Sequence, residues 1–219
     1  MADKKGTAML MVWADVPADK EADFNAWYNE EHIPELAAFP GFLNCARYEA
    51  VKGGPKHLAC YELENLAAVE THAFLNRSRT DWAKRISPSV IGTTYFLNVY
   101  EMIRPAALTP ESAQADMAPF LQVGRMTIPP EHEDEWNQWY NNIYAPNYEK
   151  VPGCMRARRW KAVEAEHQYA VMYDFEHEKV SESAEWLKQR DIDPSTPRIR
   201  SLMQHDPGSP GIWKKSFQL

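Results

Sequence analysis

The stretch FNAWYNEEHIPEL, residues 24–36, spaces Phe24, Tyr28 and His32 four residues apart. On a helix that spacing puts all three side chains on one face. A helix that only packs on a core has no need to end its apolar stripe on a histidine. Imidazole is the side chain whose ordinary pKa lies nearest neutrality, so His32 facing a cavity could give or take a substrate proton. The competing reading is a helix-terminal histidine that bonds a backbone carbonyl and offsets the helix dipole. Trp27 and Tyr28 read as pocket wall or core. Further on, Arg47 and Arg159 sit on strand-like segments. A buried guanidinium wants a partner. The candidates are a substrate carboxylate or phenolate and an internal acid such as Asp15 or Glu49, with the internal acid preferred. Arg156 and Arg158 alternate onto the opposite face and read as solvated.

Other chemistries find little support. His32 with Glu31 and Glu35, or His132 within EHEDE (131–135), offers imidazole and carboxylates without HxxxH or HExxH spacing, so no metal site is expected. GxGxxG, GxxxxGK[ST] and GxSxG are all missing from the sequence. Cys45, Cys60 and Cys154 lie far apart with no CxxC, which suits reduced thiols in a cytoplasm. The net charge of −7 argues against nucleic-acid and anionic-membrane partners. No apolar run approaches the ~20 residues of a membrane span. The charged start MADKKGTAML has no long apolar segment, so no signal peptide is expected.

The elements that must position these residues occur twice. Shifted by 112 positions, Phe24, Trp27, Tyr28, Asn29 and Pro34 fall on Trp136, Trp139, Tyr140, Asn141 and Pro146. FPGF (39–42) falls on VPGC (151–154), Arg47 on Arg159, Tyr61 on Tyr173 and Phe74 on Trp186, without a gap. The first copy reads as strand 8–16, a helix capped by Asp19 and running to about Ile33, strands 43–51 and 57–64, helix 66–84 and strand 93–103. The second reads as strand 120–128, helix 131–147, strands 154–163 and 168–175, helix 178–190 and a strand near 211–218. This is the β-α-β-β-α-β order of ferredoxin-like folds. Residues 1–104 form the first repeat, 105–119 a Pro/Ala/Ser-rich linker and 120–219 the second; 191–210 reads as an ordered surface loop or lid.

One face of each sheet is left to cover, and the two repeats can cover each other sheet to sheet as an intrachain α+β barrel. In the first strand Leu10, Val12 and Ala14 suit helix packing. Met9, Met11, Trp13 and Asp15 oppose them, and suit a roomy, partly polar interior holding a ligand.

The WY-x-x-x-H-x-P motif, followed by PGF and an arginine-bearing strand, resembles the EthD-like branch of the dimeric α+β barrel superfamily. The resemblance covers both halves and is closer in the first. It implies a barrel pocket for a small aromatic or lactone-like molecule, with acid–base work at the helix-borne histidine. In the second half that position is Tyr144, and Glu30 and Glu31 become Asn142 and Ile143, so the chemistry is expected in the first.

The expected catalytic set is His32, Tyr28 and Arg47. Trp13, Asp15, Trp27, Tyr140, Tyr144 and Arg159 are expected to contact substrate, with no metal and no cofactor. The expected activity is a lyase or isomerase working by proton transfer on a small aromatic or unsaturated acid. A cofactor-free monooxygenase and a non-catalytic binding barrel are the alternatives. The other expected partner is a second copy in a homodimer.

Overall fold

The computed structural model describes residues 2–164, 168–190 and 192–219. Its strands are β1 Ala8–Asp15, β2 Phe42–Lys52, β3 His57–Leu63, β4 Thr94–Arg104, β5 Phe120–Thr127, β6 Cys154–Ala162, β7 Tyr169–Phe175, β8 Gln204–His205 and β9 Gly211–Gln218. The first half is ordered β4-β1-β3-β2 and the second β9-β5-β7-β6, the same antiparallel arrangement twice. The halves join edge to edge. β2 pairs with β9 from Ala46↔Gln218 to Lys52↔Ile212, and β4 pairs with β6 from Tyr100↔Ala162 to Arg104↔Arg159. Eight strands thus close a mixed α+β barrel with no free edge, and β8 adds a short pairing to β5. Among the described residues no helix is long and apolar enough to cross a membrane.

Strand alternation sends successive side chains to opposite faces. Leu10 and Val12 pack outward under the helices, with Phe24, Trp27 and Tyr28. Met9, Met11 and Trp13 point inward and meet Tyr48, Trp160 and Trp213. That interior corrects the expected ligand chamber: it is a filled core. Each buried methionine there contributes about 1.5–3 kcal/mol by leaving water. Its polar part is an ion cluster. Arg158 Nη1 lies 2.8 Å from Glu62 Oε1, and Arg156 Nε lies 2.8 Å from Asp174 Oδ2. Lys5 Nζ stands 3.7 Å from Glu62. Arg158 is therefore buried and paired, not solvated.

The helices depart from expectation for identifiable reasons. Asp19 does not cap; the N-cap position is Lys20, without a side-chain hydrogen bond. Helix α1, Glu21–Trp27, does not stop before Pro34. It widens into a π-turn, Tyr28–His32, and resumes as α2, Ile33–Ala37. There the Ile33 N–H bonds Tyr28 O, five residues back. The widened register passes Pro34, which lacks an N–H, into the first turn of α2, where a proline is tolerated. The second half repeats this with α3, Glu133–Trp139, the π-turn Tyr140–Tyr144 and α4, Ala145–Tyr148, which carries Pro146.

The expected helix 66–84 is broken into short pieces, Leu66–Val69, His72–Leu75 and Asp81–Ile86. Asn65, Thr71 and Thr80 each accept a backbone N–H and start a new piece. In the second half the piece Ala184–Gln189 starts in the same way at Ser183. Within 105–119, Pro110–Gln114 is helical and Met117 and Ala118 are buried in the barrel core. The 191–210 segment contains the helical turn Thr196–Arg200 and β8; its first residue, Asp191, lies outside the described residues.

Candidate active site

Each half holds a cavity between its helices and the outer face of its sheet. The first, about 340 Å³, is walled by Trp27, Tyr28, His32 and Tyr61 and floored by Leu10 and Val12. Volumes of this order suit a small ligand. His32 rides on the π-turn. Its ring stacks on Trp27, centroids 4.6 Å apart and planes 18° apart, and meets Tyr28 edge-on at 5.1 Å. Its side chain is 19% exposed, and Nδ1 lies 3.6 Å from Glu35 Oε2. That separation is long for a hydrogen bond but close enough for charge attraction once the ring is protonated. With Nδ1 facing Glu35, Nε2 is the nitrogen left for a ligand.

The wall behind the histidine is tied down. Trp27 Nε1 donates to Glu31 Oε1 at 2.9 Å, and Thr80 Oγ1 donates to the same oxygen at 2.5 Å. The stacking platform is thereby joined to the loop that carries Arg77 and Arg79, both of which line the cavity. Arg79 donates to Ala83 O at 3.2 Å and to the hydroxyls of Ser87 and Ser89. Burial pushes the Tyr28 phenol up to about 12 and that of Tyr61 well above its ordinary value, so both stay protonated donors at neutral pH. The Tyr61 hydroxyl is buried against that of Tyr28, to which it is the donor.

Arg47 does not enter this cavity, and its partner is not an acid. It lies under the helix on the far side of Tyr28. Nη1 donates to Asn29 Oδ1 at 2.9 Å and Nη2 to Asn25 Oδ1 at 2.5 Å. The guanidinium stands 4.6 Å from the Tyr28 ring centroid and 5.2 Å from that of Phe24. Arg159 does the same with Asn137 and Asn141, 4.5 Å from the Tyr140 centroid. Burial lowers both guanidinium pKa values, that of Arg159 to about 10, so both stay charged at neutral pH. Trp13 is inside the barrel, stacked on Phe96 at 5.1 Å. Asp15 is at the barrel rim and accepts the Lys56 N–H at 2.7 Å.

The structure thus brings His32, Tyr28 and Trp27 together at one cavity and places Tyr140 and Tyr144 at the other. It does not bring Arg47, Arg159, Trp13 or Asp15 to the first. Glu35, Tyr61 and Arg79 were not among the expected residues. Glu35 follows His32 by three positions on one helix face, and Tyr61 aligns with Tyr173 at the 112-residue shift, so both carried a readable signal. Among the described residues no group of three or more His, Cys, Asp or Glu is placed to hold a metal ion.

No protein-family model and no curated protein sequence matches the chain. Solved structures do. An anthrone oxidase-like protein superposes with TM-score 0.63 at 15% identity, covering 99% of this chain and 94% of that one. A protein from Fusobacterium nucleatum provisionally named a monooxygenase gives TM-score 0.62 at 10% identity, covering 97% and 94%. A protein provisionally named a chlorite dismutase gives TM-score 0.58 at 11% identity, covering 96% and 94%. At these identities the likeness is one of fold, the ferredoxin-like α+β barrel of the dimeric type, here completed within one chain.

Proposed function

We propose that the first-half cavity is the active site of an enzyme that moves a proton on a small aromatic or unsaturated acid. The carrying observation is His32, stacked on a braced tryptophan, backed by Glu35 and open to a cavity of substrate size. Nε2 takes the proton from an acidic carbon or hydroxyl, and Glu35 stabilises the imidazolium that forms. Tyr28, whose hydroxyl accepts from Tyr61, donates its own proton to the oxygen where negative charge collects. Return of the proton at another carbon completes an isomerisation; loss of carbon dioxide from the acid, with protonation of the carbanion, completes a decarboxylation. The side chains of this cavity supply the acid and the base, and the reading calls on no cofactor. It keeps the EthD-like assignment, with 1–104 and 120–219 descended from one ancestral half.

A second reading has one observation in its favour, the names of structural neighbours as an anthrone oxidase-like protein and as monooxygenases. The same deprotonated substrate can meet dioxygen. An activated methylene and one dioxygen then give a carbonyl and one water, the methylene carbon being oxidised and the dioxygen reduced.

The test is a panel of phenols, anthrone-type ketones and aromatic acids incubated in deuterium oxide with an oxygen electrode in place. Deuterium entering substrate or product with wild-type protein, and not with His32→Ala, supports proton transfer. Oxygen uptake in step with product selects the second reading. A ligand that binds both proteins alike and leaves unchanged sinks both and leaves a carrier.

A further inference from the structure

The second half keeps the cavity and changes its chemistry. Its volume is about 310 Å³, close to that of the first, and its walls are Tyr140, Tyr144, Tyr148, Tyr173 and Trp186. Three differences set it apart. The first is the residue on the π-turn. Where the first half has His32, Tyr144 packs on Trp139 with centroids 4.4 Å apart. Tyr148 donates its hydroxyl proton to Tyr144 Oη at 3.2 Å. The Tyr144 proton is therefore free for an acceptor in the cavity, since a hydroxyl has one proton to give. A phenol there can donate to an anion.

The second difference is the floor. Leu10 and Val12 of the first half correspond to Gln122 and Gly124. A β-carbon at Gly124 would come 3.2 Å from Met126 Cε and 3.7 Å from Pro210 Cβ, so the bare backbone lets these two side chains close in and itself lines the cavity below the tyrosines. Glycine inside a strand weakens it, and one reason to find it there is close approach of a ligand.

The third is charge. Lys52, Arg190 and Arg200 line the cavity, and among the described residues no carboxylate does, in a chain of net charge −7. Lys52 is shared with Glu182 at 3.3 Å, outside the lining. Arg200 is half-buried, and its Nε is enclosed without a hydrogen-bond partner. Such a group is costly unless something accepts from it.

We infer that the second-half cavity is a binding site for a small planar aromatic anion, an aryl carboxylate or phenolate. The ring lies among the tyrosines and over Gly124, and the anionic group faces Arg200 and the Tyr144 hydroxyl. This site is separate from the one that holds His32, and it stands or falls independently of the chemistry proposed there.

The test is titration calorimetry on the full chain with 2-naphthoate, and with 2-naphthalenemethanol as its neutral counterpart. Arg200→Gln and Tyr144→Phe, on the cavity wall, are expected each to weaken naphthoate binding by about tenfold or more. Gly124→Leu, which fills the floor, is expected to abolish it. The alcohol is expected to bind wild type at least about tenfold more weakly and to ignore Arg200→Gln. Should Gly124→Leu fail to fold, the two wall variants and the alcohol decide the matter. Absence of binding by wild type overturns the inference. So do naphthoate binding that both wall variants leave unchanged and equal binding of acid and alcohol.

Discussion

The guanidinium of Arg47 sits against the ring of Tyr28, 4.6 Å from its centroid, and binds the helix above through Asn25 and Asn29. The ring's other side belongs to the cavity, where it meets His32. Arg47 therefore acts on the site by fixing the ring against which the histidine rests. The same lock recurs 112 positions later in Arg159, Asn137 and Asn141, below a cavity with no histidine on its π-turn. A feature kept where the candidate base is missing is a feature of the fold.

Replacing Arg47 with Met should accordingly destabilise the protein by about 2–4 kcal/mol. Two asparagine oxygens and a backbone carbonyl lose their donor under a packed helix. Arg159→Met should cost a similar amount. Urea denaturation followed by tryptophan fluorescence measures both. A loss below about 1 kcal/mol at either position would mean that the asparagines find water or other partners.

How much of this could be read beforehand follows from what each signal encodes. The 112-residue shift and the period-2 alternation are local, so the doubled β-α-β-β-α-β order and the outward placement of Leu10 and Val12 were legible. What fills the barrel was not. Met9, Met11 and Trp13 looked like cavity lining because the side chains that oppose them, Trp160 and Trp213, come from the other half. Arg47 was expected to seek a carboxylate, since charge pairing is the usual answer to a buried cation. The asparagines four residues apart on the helix above supplied amide oxygens in its place. Pro34 looked like a stop because the rule assumes α-helical register. A π-turn ahead of it changes that register, and nothing in the residue types announces the turn.

Lys5 should be a destabilising residue at neutral pH. Its ammonium is fully buried with Glu62, Asp174, Arg156 and Arg158, three cations against two acids. Burial first, and Arg158 with Arg156 after it, lower its pKa to about 8 against the pull of Glu62 and Asp174. Between pH 8 and 10.5 the unfolded chain holds a proton on this residue that the folded chain has released, so Lys5 contributes a gain in stability with rising pH there. The thiols of Cys45, Cys60 and Cys154, which burial pushes up, contribute with the opposite sign over the same window. The share of the lysine is therefore the difference between the curves of wild type and Lys5→Met, and the variant should gain about 1–3 kcal/mol at pH 7. A variant less stable than wild type at pH 7 would show the lysine to be a net contributor.

His57 should make the fold acid-sensitive before its carboxylates do. The imidazole is buried beside Phe24, with Nε2 3.5 Å from Glu21 Oε1 and neither ring nitrogen hydrogen-bonded. Burial, then Arg47 and Lys56, depress its pKa to about 4, against the pull of Glu21 and Asp15. The unfolded chain takes up a proton near pH 6.5 that the folded chain refuses until about 4. This contribution is full above 6.5 and is lost as pH falls across that window. The loss should reach about 2 kcal/mol after allowing for water at the ring edge. Glu21, whose pKa is lowered by its bond to Lys56, adds loss only at lower pH. Denaturation midpoints of wild type and His57→Phe between pH 7 and 4.5 measure the effect. Parallel curves would refute it.

The two π-turns offer a comparison within one molecule. His32 and Tyr144 occupy the same place on them, each packed on the preceding tryptophan, one backed by Glu35 and the other bonded to Tyr148. If His32 is the proton carrier, His32→Ala should lower turnover by about 10²–10⁴-fold. Its effect on stability should stay near 1 kcal/mol, because the ring lines a cavity and is stacked on one face. Tyr144→Phe should leave turnover within about threefold of wild type, since Tyr144 lines the other cavity. Glu35→Gln should fall between them, because it removes the carboxylate 3.6 Å from Nδ1 that backs the ring. Turnover of the three variants against wild type measures the order. Unchanged turnover in His32→Ala would dismiss the histidine, and unchanged turnover in Glu35→Gln would dismiss the pairing.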